Sequence, residues 1–143
     1  MRVLAIDYGD ARTGVAVSDA LGMIVGQTTV IHSRNPQKTA QELARLVKEC
    51  GAERLVMGFP RNMDGSEGPR AALYREFAAL VERECQMPVV LWDERLTTVA
   101  AHRALIEGNM RREKRSQIVD EIAAVFILQG YLDYLYHEKE KTE

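Results

Sequence analysis

The chain changes its apolar period once, and that change limits the folds open to it. Up to His32 the apolar residues fall in three short stretches joined by turns: RVLAIDY (2–8), TGVAVSD (13–19) and MIVGQTTVIH (23–32). The first is a continuous apolar run closed by Gly9. The second alternates, and the third is rich in β-branched residues, with Gly22 supplying the turn before it. Three strands in such close succession predict an antiparallel meander. From Gln37 onward Ala40, Leu43, Ala44, Val47 and Cys50 recur at helical spacing, and Gly51 stops that helix.

The remainder alternates strand and helix. RLVMG (54–58) reads as a short buried strand, followed by the Gly/Pro/Asn-rich loop FPRNMDGSEG and a helix from about Pro69 to Glu84. VVLW (89–92) reads as another strand. Thr97 or Thr98 can cap a helix that runs to about Glu107, GNMRREKRS reads as a basic loop, and a last helix spans about Gln117 to Tyr136. The order β-β-β-α-β-α-β-α-α predicts an α/β domain. Its mixed five-stranded sheet is the antiparallel meander extended by two parallel strands, with helices on both faces. A length of 143 residues fits one domain, with residues 138–143 (EKEKTE) as a solvated charged tail.

No apolar run reaches bilayer length, and Asp7 interrupts the N-terminal apolar stretch, which excludes a signal peptide. Cys50 and Cys85 lack metal-ligand spacing and read as small buried apolar residues. A cytoplasmic protein that does not engage a membrane is expected.

Four acids stand where a core-building sequence would not put them. Asp7 ends the apolar run VLAI. Asp93 and Glu94 directly follow VVLW. Asp120 shares a helix face with Ala123, Ala124 and Ile127. An isolated buried carboxylate is costly, so each should be paired, hydrogen-bonded or ligating a metal. In open α/β sheets ligand sites lie beyond the carboxyl ends of the strands, where Asp7, Asp93 and Glu94 fall. Converging carboxylates without Cys or His suit hard divalent cations such as Mg²⁺ or Mn²⁺. Taken singly, each acid also has a plain reading: a turn or cap for those at strand ends, a first-turn acid favouring the helix dipole for Asp120.

The formal net charge of −2 does not suggest a protein that binds mainly by neutralising phosphates. Basic charge is local: Arg111, Arg112, Lys114 and Arg115 cluster and could follow a nucleic-acid backbone, or could simply be solvated. Arg12, Arg95 and Thr98 lie close in sequence to the acids and could touch phosphates or pair with the carboxylates themselves. The loop around Asn62, with Gly65 and Gly68, permits close backbone approach to a substrate. Tyr131, Tyr134 and Tyr136 read as packing residues.

The segments IDYGDARTGVAVSD (6–19), VMGFPRNMDGSEG (56–68), DERLTT (93–98) and VDEIAAVFILQGYLD (119–133) resemble the YqgF family, also called RuvX, over essentially the whole chain. The resemblance implies an RNase H-like fold, similar to that of the resolvase RuvC. It further implies a metal-dependent nuclease that matures the 5′ end of pre-16S rRNA. Carried over by position, the family's acidic triad implied by the resemblance is Asp7, Glu94 and Asp120, holding a pair of divalent cations, Mg²⁺ or Mn²⁺. Asp7, central in the sheet, would bridge the pair. Asp93 should point to the opposite side and serve as an alternative ligand or a support to one. The implied partners are an rRNA precursor, with branched DNA as the alternative, and a ribosomal particle; the chain would act as monomer or homodimer. Two other readings compete: a Holliday junction resolvase using the same residues, and a non-catalytic nucleic-acid-binding protein. An actin-like ATPase also opens its phosphate site with DxG, but needs two related domains.

Overall fold

The computed structural model describes residues 1–62, 64–94 and 112–142, with the backbone alone at 112–118 and 140–142. Its strands are β1 (Val3–Asp7), β2 (Arg12–Ser18), β3 (Val25–His32), β4 (Arg54–Phe59) and β5 (Val89–Asp93). The helices are α1 (Pro36–Cys50), α2 (Pro69–Cys85) and α3 (Arg112–Thr142). One five-stranded sheet has the order β3-β2-β1-β4-β5. β1, β2 and β3 pair antiparallel, while β4 and β5 are added parallel to β1. The expected meander and its parallel extension are both present.

Strand alternation decides what each face meets. Leu4 and Ile6 of β1, Val15 and Val17 of β2, and Leu55, Met57 and Phe59 of β4 pack with Leu43 and Val47 of α1 and Phe77 and Val81 of α2. Val3, Ala5, Ala16 and Val56 point the other way and pack under Ala124, Ile127, Leu128 and Tyr131 of α3. Asp7 follows the parity of Val3 and Ala5, so its carboxylate belongs to the α3 face. On β5, Leu91 packs with the first cluster and Trp92 with the second. Asp93 and Glu94 therefore inherit opposite faces.

Local chemistry sets the boundaries. Asn35 caps α1, its Oδ1 accepting from the Lys38 amide at 3.1 Å, and Pro36 opens the helix. Gly51 ends it in the left-handed region at φ 71°, its N–H bonded to the Val47 carbonyl. β3 begins at Val25, two residues later than the sequence pattern suggests. The Asp19 carboxylate takes the amides of Met23 and Ile24 at 2.8 and 3.1 Å, which holds both in a turn with their side chains exposed.

The last helix differs most from expectation. It starts by Arg112, so Arg112, Lys114 and Arg115 are helical and not in a basic loop, and the tail EKEKT continues it to Thr142. REKRSQ and EKEKT consist mainly of straight-chain residues with good helix propensity and contain no Gly or Pro. Glu138 and Lys139 are exposed, as a solvated tail requires. Asp120 consequently lies in the third turn of α3, too deep for a first-turn dipole role. Tyr131 packs as expected, and Tyr134, though half-exposed, lies with its ring against Trp92 and Tyr131, whereas Tyr136 is exposed. The helix expected at about 97–107 lies outside the described residues. No helix among the described residues is long and apolar enough to cross a membrane.

Candidate active site

Asp7 is the most enclosed acid of the candidate set, with 4% of its surface exposed. It stands between two glycines. Gly14 of β2 is its direct partner in the antiparallel ladder, and the parallel register Ile6–Met57 sets Gly58 of β4 on its other side. The two missing side chains admit the other acids. A Cβ placed on Gly14 would lie 2.1 Å from the Asp120 carbonyl oxygen, so glycine is what lets α3 settle on β2 at this level. A Cβ on Gly58 would lie 2.7 Å from Glu94 Oε1 and 2.7 Å from Ile127 Cδ1. The Glu94 side chain therefore lies over β4, one strand away from Asp7, about 4.8 Å by ordinary sheet spacing.

Asp7, Glu94 and Asp120 thus come from β1, the end of β5 and α3 to one face and one edge of the sheet, with Asp7 in the middle. They do not form a ready-made cage, since no group of three metal-ligating side chains stands together among the described residues. Asp120 Oδ2 instead accepts from Arg12 Nε at 3.0 Å. The donor chemistry nonetheless fits a hard divalent cation. Asp7, Glu94 and Asp120 are all oxygen donors, and the two glycines let Glu94 and the Asp120 backbone approach Asp7 where a side chain would collide.

The remaining expected residues are placed as follows. Asp93 sits on the α1/α2 face, away from Glu94, within 3.9 Å of the Arg61 guanidinium. The Asn62 amide turns into its own loop, donating to Ser66 Oγ at 3.0 Å while its Oδ1 faces Gly68. Arg95, Thr98 and Arg111 lie outside the described residues, and for Arg112, Lys114 and Arg115 only the helical backbone is described. Cys50 and Cys85 are half-buried against the α1/α2 core, and burial, with the nearby Glu84 carboxylate, pushes the Cys85 thiol up to about 11.

One residue near the acids escaped the sequence reading. α2 starts just beyond the loop that leaves β4, which brings its first turn to the acidic edge. Arg70, the second residue of α2, lies beside Tyr74, its guanidinium carbon 5.8 Å from the ring centre. Tyr74 in turn donates its hydroxyl to the Tyr8 carbonyl at 2.9 Å, next to Asp7. Hydrogen bonding to the Tyr74 hydroxyl first, then the Asp10 and Glu94 carboxylates, hold Arg70 above its ordinary pKa. Burial foremost, with the Glu94 and Asp7 charges adding to it, pushes the Tyr74 hydroxyl above its usual value. A signal was present in the sequence: a cation in a first helical turn opposes the macrodipole and so asks for another reason to be there.

A mixed sheet of order β3-β2-β1-β4-β5, helices on both faces and carboxylates at the end of the central strand together define an RNase H-like domain. The fold matches solved structures of Thermus thermophilus RuvC. One, in complex with Holliday junction substrate, has a TM-score of 0.59 at 15% identity, covering 94% of this chain and 96% of that one. A second RuvC structure from the same organism gives 0.56 at 16% identity. The sequence profile of the RuvX family, described as "Holliday junction resolvase", matches residues 1–134. The chain belongs to the RuvX family. Its curated relatives include the "Putative pre-16S rRNA nuclease" of Clostridium novyi, 48% identical over 93% of this chain and 98% of that protein. A relative of the same description from Heliobacterium modesticaldum is 46% identical over 100% of this chain and 96% of its own length.

Proposed function

We propose that this protein is a divalent-cation-dependent nuclease that hydrolyses phosphodiester bonds in the 5′ leader of pre-16S rRNA, as a cytoplasmic step of ribosome biogenesis. The observation that carries the reading is the enclosed Asp7 carboxylate set between two glycines, with Glu94 on one side and Asp120 on the other. A carboxylate in that position repels phosphate, so a protein that only bound nucleic acid would gain nothing from it, whereas a nuclease can use it to hold a cation. The rRNA substrate is supported by the description shared by the relatives from Clostridium novyi and Heliobacterium modesticaldum.

Asp7, Glu94 and Asp120 would hold the cations. Cations bound there supply a water of lowered pKa and offset the charge that develops on the phosphate. The protein's own groups do the positioning. Asp7 is fixed by the β1–β2 ladder, Asp120 by the seat of α3 on Gly14, and Glu94 by its place over Gly58. Arg12 on the β2 side and Arg70 at the start of α2 can hold the flanking phosphates, so that the scissile bond lies across the end of β1.

The test compares cleavage of a 5′-extended 16S rRNA precursor and a four-way DNA junction by wild type and Asp7→Asn, with Mg²⁺ or Mn²⁺. Metal-dependent cutting of the RNA by wild type, abolished in a normally folded Asp7→Asn, is the expected result. Selective cutting of the junction would transfer the reading to a resolvase. Near-normal activity in Asp7→Asn would sink the assignment of the site.

A further inference from the structure

Arg12 is held at its backbone and loose at its tip. Its Cα is fixed in the ladder opposite His32, and the Gly9 turn is so tight that a Cβ on Gly9 would lie 2.3 Å from the Arg12 carbonyl oxygen. The side chain, by contrast, is 41% exposed and reaches over the sheet to Asp120, whose side chain is 18% exposed. Among the described residues the Nε–Oδ2 contact is its only hydrogen bond. Among the described residues two of the three guanidinium nitrogens have no other acceptor, and a planar guanidinium can present them to a phosphate.

The charges say when the guanidinium should leave. Without a cation, Arg12 offsets the charge of Asp120, one of the three candidate carboxylates. A divalent cation taken up by the same carboxylates does that job with twice the charge, and it repels the guanidinium. A nucleic-acid phosphate arriving at the same edge attracts it. We propose that Arg12 is a phosphate-holding residue parked on Asp120, and that cation uptake by Asp120 frees it to grip the substrate. This rests on the nuclease reading above and adds a coupling between cation and nucleic acid: each should tighten the binding of the other.

The experiment follows the arginine Nε–H signals of the full chain by NMR, with the Arg12 signal identified by its loss in Arg12→Lys. Saturating Mg²⁺ should shift that signal and speed its hydrogen exchange, and a phosphorothioate-linked RNA should then move it again. In binding assays Arg12→Gln should take up Mg²⁺ several-fold more tightly and hold the RNA about tenfold more weakly in Mg²⁺, with little change without the metal. Trp92, two residues before Glu94, reports metal uptake independently through its fluorescence. An unmoved Arg12 signal while Trp92 reports bound Mg²⁺ would make Arg12 a fixed strut and leave the nuclease reading standing. Absence of Mg²⁺ uptake by either probe would overturn both. The wild-type titration stands even if Arg12→Gln folds poorly.

Discussion

Gly14→Ala and Gly58→Ala add the same methyl group beside the same aspartate, yet the structure assigns them different consequences. At Gly14 the methyl would meet backbone, 2.1 Å from the Asp120 carbonyl oxygen and 2.7 Å from its carbon. Those atoms belong to a hydrogen-bonded helix and cannot rotate aside, so α3 must retreat by about 1 Å to reach ordinary contact. Overpacking of this kind costs about 1–3 kcal/mol, and a backbone obstacle belongs at the upper end. In a chain of this size that is a fall in Tm of roughly 10 °C. Asp120 travels with the helix, and misplacement by about 1 Å is worth roughly 10²-fold in rate. At Gly58 the methyl would meet side-chain ends instead, Glu94 Oε1 and Ile127 Cδ1, both at 2.7 Å. These can swing away, and the lost freedom of the unfolded glycine offsets about 0.4–1 kcal/mol of the cost. Stability should change by less than about 1 kcal/mol, while displacement of Glu94 should still lower cleavage by about 10²-fold. Thermal unfolding followed by circular dichroism and single-turnover cleavage separate the two variants. A Gly14→Ala protein as stable as wild type, or a Gly58→Ala protein of full activity, would refute the argument from space around Asp7.

Other consequences follow from particular residues. Arg70→Ala should weaken RNA binding by about tenfold and reduce the slope of log affinity against log salt by about one, as expected for one lost phosphate contact; an unchanged slope removes Arg70 from the interface. The Asp19 carboxylate accepts its two turn amides more strongly when ionised, and those bonds lower its pKa below the ordinary carboxylate value. A depressed folded-state pKa means that the stabilisation is complete above the unfolded value and is lost as pH falls through the folded one. The Met23 and Ile24 amides should therefore keep their exchange protection through the ordinary carboxylate range and weaken only at lower pH, after correction for intrinsic exchange, and should lack it at all pH values in Asp19→Ala. Tyr74 should remain protonated past pH 10 in a spectrophotometric titration, because burial and the Glu94 and Asp7 charges disfavour its phenolate. Ionisation at or below pH 10 would show that Tyr74 is less buried, or those acids farther from it, than the structure places them.

The sheet was legible because each strand carried its own signal. The continuous VLAI matches a β1 buried on both faces, the alternating TGVAVS marks β2 as a strand without showing that it too is buried throughout, and the change of period at Gln37 separates the meander from the parallel pair. Errors fell where polar atoms compete for the backbone. Nothing in the apolar pattern of MIVGQTTVIH shows that the Asp19 carboxylate captures the first two amides. A basic run such as RREKRS carries two messages, charge and helix propensity, and α3 follows the second. The three acids were found for a related reason: a carboxylate at the end of an apolar strand or on an apolar helix face contradicts its neighbours, and the contradiction is visible without coordinates.

Glycine offers no such contradiction. Gly14 and Gly58 sit inside strands, where the usual inference is a weak or bulged position. Neither has a positive φ, so backbone conformation does not require glycine at either place. What requires it is the approach of another element, Asp120 from α3 at one and Glu94 from the end of β5 at the other, and that approach exists only once the chain has folded. The sequence therefore displays the charges of the candidate site and conceals the space they need. The same asymmetry applies to Arg70 and Arg12. A cation opposing a helix dipole, or one following a strand, is ambiguous in a sequence. It acquires a direction only when its reach ends beside a specific carboxylate, as that of Arg12 does at Asp120. Assigning function to a domain of this kind thus depends less on counting acids than on asking which small residues make room for them and which cation waits nearby.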